Sequence, residues 1–344
     1  MNKRILIISA RNFGDAIIST SLINSLGGSF SDYKIDLLTR YDFKGIFEKN
    51  PYVNKIYYAN FPMGTNKNFN FKELFRLLKI INILSNNKYD FVLNNIGDIR
   101  ENLLGKLIRP KINISIKFEE SHPFNNLIRL NNCLFTDKCI SIPADVKNIY
   151  DIQDFISSNL GCTKILPPEI YLNLNNKKDS SSKIIGIHPM ASQDCKLWDF
   201  HKWEKLINIL KSKYTIWIFG SNNEFSLLNK VFKAVVDEKS VFIKTTSLDE
   251  FFINLSKCSL LIGLDSFSIH AAYALDVKSI MISGANDWEI WKPKNCYVIS
   301  KGSSVCKFYP CFNKPKCLNT SDKYICMKSI EVDEVLSLVN KILC

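Results

Sequence analysis

Several short stretches of the 344-residue chain place chemically capable side chains directly after apolar runs. "IGIHPMASQDCK" ends on Lys196, an ammonium reached through small and polar residues that suit a turn. "GLDSFSIHAAYAL" carries Asp265 and Ser266, with His270 on the same first helical turn. "IFGSNNE" ends on Glu224, and "RNFGDAI" sets Asp15 after Gly14. A lysine beside the backbone N–H groups of a helix start can neutralise a diphosphate. An acid at a neighbouring strand end can accept from ribose hydroxyls, and a carboxylate such as Asp15 can take up a proton. Each residue also has a plainer account. An acid in a first helical turn is stabilised by the helix dipole by about 0.3–1 kcal/mol. A histidine at such a position can be half-buried and satisfied, and a single lysine or glutamate is usually a solvated charge. Convergence is what raises the group above these accounts. Strand ends of the second half together offer small residues, an acid and a lysine, which is the make-up of a nucleotide-diphosphate pocket. The glycine spacing of the dinucleotide fingerprint is absent from "RNFGDAI".

These residues need strands and helices to position them. "KRILIIS" is a continuous apolar run and predicts a buried parallel strand. "GDAIISTSLINSLGGSF" has helical spacing and is expected to stop at Gly27-Gly28. "KIDLLTR", the helix "FKELFRLLKIINILSNN" and the strand "YDFVLNN" follow. After residues 161–183, with paired prolines and three serines, the alternation restarts at "KIIGIHP". It continues through "YTIWIFGS", "SVFIKTT", "SLLIGLD" and "VKSIMISG", each separated from the next by a helical segment. Alternation of this kind predicts parallel βαβ units. The fold class expected is therefore α/β, two Rossmann-like doubly wound domains facing across a cleft, with ligands at the carboxyl ends of strands. The domains are placed at residues 1–165 and 183–330. The last helix is read in residues 331–344.

The formal net charge of +12 favours an acidic partner. Lys, Asn and Ile are abundant together, so charge alone decides little. A nucleic-acid binder would show a continuous basic face with interleaved aromatics; here the basic residues are dispersed, and no nucleic acid is expected. There is no run of 18 apolar residues, and the N-terminal apolar run is too short for a signal peptide, so a cytoplasmic protein is expected. Of 11 cysteines, Cys133, Cys139, Cys162, Cys195, Cys258, Cys296 and Cys344 are scattered as in a reduced protein. Cys306, Cys311, Cys317 and Cys326 cluster with spacing C-x4-C-x5-C-x8-C. They are candidates for structural Zn or Fe, although the C-x2-C pairs of zinc ribbons are missing and free thiols account for them equally well. Trp198 and Trp203 read as core or rim. Trp288 and Trp291 lie in a loop near the proposed donor side, with core packing expected for at least one.

At this point the chain resembles the bacterial lipopolysaccharide heptosyltransferases, glycosyltransferase family nine. The likeness runs nearly end to end, through "FGDAIISTSLINSL", "NPYVNKIYY", "YDFVLNNIGDIREN" with Arg100, "IGIHPMASQDCKLWDFHKWEKLI", "WIFGSNNE", "KTTSLDEF", "LLIGLDSFSIHAAYAL" and "CFNKPKCLNTSDKYICMKSIEVDEVL". It implies the GT-B architecture, with the last helix packing back on the first domain, and an inverting transfer of heptose from ADP-heptose to lipopolysaccharide core or a related surface-polysaccharide acceptor, without a catalytic metal. It implies Asp15 as general base on the acceptor hydroxyl. Lys196 and the Ser266–Phe267 backbone would hold the diphosphate, with Ser192 nearby. Asp265 would read sugar hydroxyls, Glu224 the ribose, and Thr246 the base through its main chain; His270 matches the family's histidine. The alternatives are the same fold with another nucleotide sugar, or a sugar-nucleotide-binding protein without turnover.

The chain departs from the family pattern in places. Phe267-Ser268 stand where Gly-Pro is usual, so the phosphate contact at 267 is open to question. Arg11-Asn12-Phe13 replace a glycine-bearing loop, and Arg11, Asn12 and Arg100 are candidates for an acidic acceptor. The resemblance also implies work at the inner face of the cytoplasmic membrane. A basic rim at Lys106, Arg109, Lys111 and Lys117 is suited to approach anionic lipid there.

Overall fold

The computed structural model describes residues 3–61, 70–126, 133–172, 183–237, 239–312 and 314–343. The chain divides into two compact units, Met1–Tyr171 and Leu172–Cys344. Residues 173–182 of the proline- and serine-rich stretch read as the boundary lie outside the described residues.

The first unit holds β1 (Lys3–Ser9), α1 (Phe13–Ser29), β2 (Tyr33–Thr39), β3 (Val53–Tyr58), α2 (Phe71–Asn86), β4 (Phe91–Asn94), α3 (Ile99–Ile108), β5 (Ile112–Phe118), β6 (Lys138–Ile142) and α4 (Ile149–Asn159). Its sheet runs β3-β2-β1-β4-β5-β6, and every neighbouring pair is parallel. β1 is central, with Ile7 opposite Leu37 of β2 and Leu93 of β4. Leu6, Ile7 and Ile8 are fully buried, as their continuous apolar run requires.

α1 is buried almost throughout. Its small polar residues fit that setting because their hydroxyls bond back within the helix: Ser19, Thr20 and Ser21 donate to the carbonyls of Ala16, Ile17 and Ile18 at 2.8, 2.6 and 2.8 Å. The expected stop at Gly27-Gly28 is corrected, since α1 runs through both residues to Ser29. The glycines serve close packing instead of ending the helix. A Cβ at Gly27 would lie 2.3 Å from Cδ1 of Tyr52, and one at Gly28 would lie 2.9 Å from Cδ1 of Leu166. Cys133 and Cys139, read as reduced, are joined in a disulfide with a Cα separation of 5.9 Å. The turn before β6 brings the two backbones within bridging range.

The second unit repeats the plan with β7 (Ile184–His188), α5 (Phe200–Leu210), β8 (Thr215–Gly220), α6 (Phe225–Val231), β9 (Val241–Thr245), α7 (Leu248–Leu255), β10 (Leu260–Leu264), α8 (Phe267–Ala274), β11 (Lys278–Ser283), β12 (Cys296–Ser300) and α9 (Val332–Leu343). Its sheet runs β12-β11-β10-β7-β8-β9, again with all pairs parallel. Trp198 and Trp203 meet edge to face at 4.9 Å inside the core, whereas Trp288 and Trp291 are half-buried.

The expectation that the last helix packs back on the first domain is corrected. α9 contacts α5, β11 and β12, and Val332, Val335 and Val339 enter the same core cluster as the two tryptophans. Polar bonds fix the segment that leads into it. Trp198 Nε1 donates to the Ile330 carbonyl at 3.0 Å, and Lys202 Nζ donates to the Lys328 and Ile330 carbonyls at 2.6 and 2.8 Å. An apolar stripe three to four residues apart must be buried somewhere; here the second unit's own sheet buries it.

Candidate functional site

Both sheets place strands in the order 3-2-1-4-5-6 of each unit's own sequence. The chain winding reverses between the first and fourth strands, and the loops after those strands diverge to leave a crevice. In the second unit these strands are β7 and β10, and the loops after them carry Lys196 and Asp265.

The structure joins that pair. Lys196 Nζ donates to the Asp265 carbonyl at 3.1 Å and lies 3.1 Å from Asp265 Oδ2. The two side chains are 13 and 8% exposed, so the pair is largely out of water. Asn286, arriving from the loop after β11, donates to the same Oδ2 at 2.6 Å. An ammonium has three donors; two are directed at Asp265, which orients the third. Asn286 is a site residue that sequence reasoning missed, because nothing in its surroundings reports that the loop after β11 returns to Asp265.

Ser266 is the N-cap residue of α8, yet its side chain makes no capping bond. Its hydroxyl and that of Ser268 bond each other at 3.0 Å. Phe267 is the first helical residue, and its ring meets His188 edge-on at 5.5 Å and Phe251 at 5.4 Å. Burial holds the His188 imidazole below its ordinary value despite the nearby Glu224 carboxylate, so the ring is a neutral packing partner for Phe267. His188 is a second residue that sequence reasoning did not assign. His270 is buried on α8.

The other expected donor residues sit at the ends of β7, β8 and β9. Ser192 is exposed in the loop after β7. Glu224 closes a cap: the Ser221 backbone N–H and hydroxyl both donate to its Oε2, at 2.7 and 2.8 Å. Thr246 follows β9, and its Oγ1 is buried with no hydrogen-bond partner.

In the first unit the switch point lies between β1 and β4; the loop after β1 carries Arg11 and Asn12, and the first turns of α1 and α3 carry Asp15 and Arg100. Asn12 Nδ2 donates to Asp15 Oδ2 at 2.9 Å, orienting the carboxylate in the first turn of α1. Arg100 is exposed but bound to Asp98: its Nε and Nη2 donate to the two Asp98 oxygens at 2.9 and 2.6 Å. Burial alone would raise the Asp98 carboxyl, but the Arg100 bonds and the charges of Arg100 and Arg11 hold it below the usual range. Glu101, next along α3, was not singled out by sequence. It is fully buried, and neither carboxylate oxygen has a hydrogen-bond partner. Desolvation pushes it up to about 8, with Arg11 opposing and Asp98 and Asp15 adding to the shift.

The cysteine cluster assembles in space. Cys306, Cys311, Cys317 and Cys326 line one pocket together with Cys195. Two of the sulfurs hydrogen-bond to backbone groups. Cys311 Sγ donates to the Ala285 carbonyl at 3.4 Å, and Cys317 Sγ accepts from the Tyr324 N–H at 3.5 Å. Contact with Cys311 and then burial push the Cys195 thiol up, and burial pushes Cys326 up to about 11. Among the described residues no three His, Cys, Asp or Glu side chains stand in a metal-holding arrangement. No step is assigned to a metal there.

Two Rossmann-like units with the same strand order make up the two-domain α/β plan of the GT-B glycosyltransferases. The model for glycosyltransferase family 9 (heptosyltransferase) matches residues 77–321, and the chain belongs to that family. It is 25% identical over 352 residues to the lipopolysaccharide heptosyltransferase 3 of Escherichia coli K12, covering 97% of this chain and 96% of that one. The fold is shared with a family 9 glycosyl transferase from Veillonella parvula at a TM-score of 0.80 and 16% identity, covering 99% of this chain and 97% of that one. It is shared also with the E. coli heptosyltransferase WaaC with ADP, at a TM-score of 0.75 and 16% identity, covering 98 and 99% of the two chains.

Two measurements check this geometry. A Glu101 value raised to about 8 means that the folded chain holds a proton the unfolded chain has lost. Stability attributable to this group is therefore full below its unfolded value and falls as pH rises through about 8. Glu101→Gln removes that dependence, so its Tm advantage over the parent should widen between about pH 5 and 8. Parallel Tm curves would mean that the carboxyl is not desolvated. Elemental analysis of the purified chain checks the cluster: one full equivalent of zinc or iron would give Cys306, Cys311, Cys317 and Cys326 a structural metal, and none would leave them free thiols.

Proposed function

We propose that the chain is an inverting, metal-independent transferase that moves heptose from ADP-heptose to a lipopolysaccharide core or related surface-polysaccharide acceptor. The observation that carries this reading is the Lys196–Asp265 pair at the second unit's switch point, beside the start of α8. A nucleoside diphosphate leaving group builds up charge as the glycosidic bond breaks, and a lysine with first-turn N–H groups offsets it. The ADP in the WaaC structure and the lipopolysaccharide acceptor in the relative's name support the choice of nucleotide and acceptor.

In this reading Lys196 takes the diphosphate, with the Ser266–Phe267 backbone and Ser192 beside it. Asp265, held by Lys196 and Asn286, reads sugar hydroxyls. Glu224 reads the ribose, Thr246 contacts the base through its main chain, and His270 supports α8. Asp15, oriented by Asn12, takes the proton of the acceptor hydroxyl. The oxygen so released attacks the anomeric carbon from the face opposite the diphosphate, which leaves as ADP and inverts the configuration. General-base assistance of this kind is typically worth 10²–10⁴-fold. Arg11 and Arg100 meet an acidic acceptor.

No helix among the described residues is long and apolar enough to cross a membrane. We place the enzyme in the cytoplasm, meeting its acceptor at the inner face of the cytoplasmic membrane.

The test is a donor screen with chelator present. ADP-heptose and other ADP-, UDP- and GDP-sugars are incubated with and without core acceptor, and nucleotide release is followed. ADP-heptose should support transfer undiminished by chelator, and Asp15→Asn should lower turnover at least 100-fold while donor binding is kept. Failure of every nucleotide sugar to bind would end the reading. Unchanged turnover in Asp15→Asn would remove that residue from the mechanism.

A further inference from the structure

α2 presents more apolar surface than the first unit's core uses. Leu77, Ile81 and Leu84 are its buried residues. Phe71, Phe75 and Leu78 form a separate stripe at i, i+4 and i+7, and are 82, 66 and 48% exposed. Lys72, Arg76 and Lys79 repeat the same spacing one residue on, all exposed, so a basic stripe runs beside the apolar one. The one acid of the helix, Glu73, is taken up by Arg76 at 2.6 Å and Asn60 at 2.9 Å. α3 packs beside α2 and exposes Leu103 and Leu107 at i and i+4, with Lys106 between them.

We propose that the outer face of α2 and α3 docks on an anionic lipid bilayer, with the phenylalanines and leucines entering the interfacial region and Lys72 and Lys79 meeting lipid phosphates. Aromatic and aliphatic side chains flanked by cations are the composition of an interfacial helix face. Charge selects this occupant over a second copy of the chain. A two-fold contact would set the face against itself, Lys72 and Lys79 of one copy meeting the same cations of the other. An anionic surface complements both stripes, each nearby cation adding to the attraction within a Debye length. The inference stands on the chain's own surface and does not need the donor reading; it adds where the acceptor is met.

The test is cosedimentation of the full chain with vesicles, at low and high salt, with no donor or acceptor present. Phosphatidylglycerol vesicles should be bound at least tenfold more tightly than phosphatidylcholine vesicles, and less so at high salt. Two double variants, Phe71→Ser with Phe75→Ser and Lys72→Glu with Lys79→Glu, should each lose at least tenfold in partitioning. Their Tm should stay near the parent's, since the altered side chains are exposed. Equal binding to both lipids, or variants that bind like the parent, would overturn the proposal. So would a parent that is dimeric, becomes monomeric in the first variant, and ignores vesicles. None of these outcomes bears on whether ADP-heptose is the donor.

Discussion

The second unit's chemistry depends on a single nearly buried contact, the Lys196 ammonium against the carboxylate and carbonyl of Asp265. A charge withdrawn from water is retained only where other groups replace its hydration. Asp265 does this for Lys196, and Lys196 with Asn286 does it for Asp265. Removing either partner would leave its neighbour uncompensated, a loss of about 3–5 kcal/mol for buried pairs in general. The arrangement stores a cation at a fixed place, short of its full complement of acceptors. In the proposed reading, a diphosphate entering beside α8 would meet the donor that Asp265 leaves over.

The first unit solves a different problem with the same topology. Its switch point gathers Arg11, Asp15, Asp98, Arg100 and Glu101, a nearly balanced set of charges with one member fully buried. Arg100 is committed to Asp98, so the arginine face offered to an acidic acceptor is narrower than the residue count suggests. Glu101 introduces a penalty at alkaline pH into the element that also frames Asp15. A fold repeated twice therefore holds a cation ready in one unit and a carboxylate ready in the other.

Much of this was legible in the sequence, because strands buried on both faces betray themselves as unbroken apolar runs and helices as periodic ones. "KRILIIS" and "SLLIGLD" became the central strands, and the residues just beyond such runs, Asp15, Lys196 and Asp265, are those at the switch points. β3, β5, β6 and β12 are not evident as strands in the sequence, and Gly27-Gly28 suggest a stop although they answer to Tyr52 and Leu166 further along the chain. Asn286, the His188–Phe267 contact and the burial of Glu101 were invisible for the same reason. Each is a tertiary encounter between segments whose local patterns say nothing of one another. The last helix showed a clear apolar stripe, but a stripe records that a surface must be covered and not which surface covers it.

The central claim is that Lys196 holds a diphosphate. Calorimetric titration of ADP into the parent and into folded Lys196→Ala, with the fold checked by Tm, tests it most directly. The account requires saturable binding by the parent and at least tenfold weaker binding by the variant, about 1.4 kcal/mol. Equal affinity in the two proteins would contradict it.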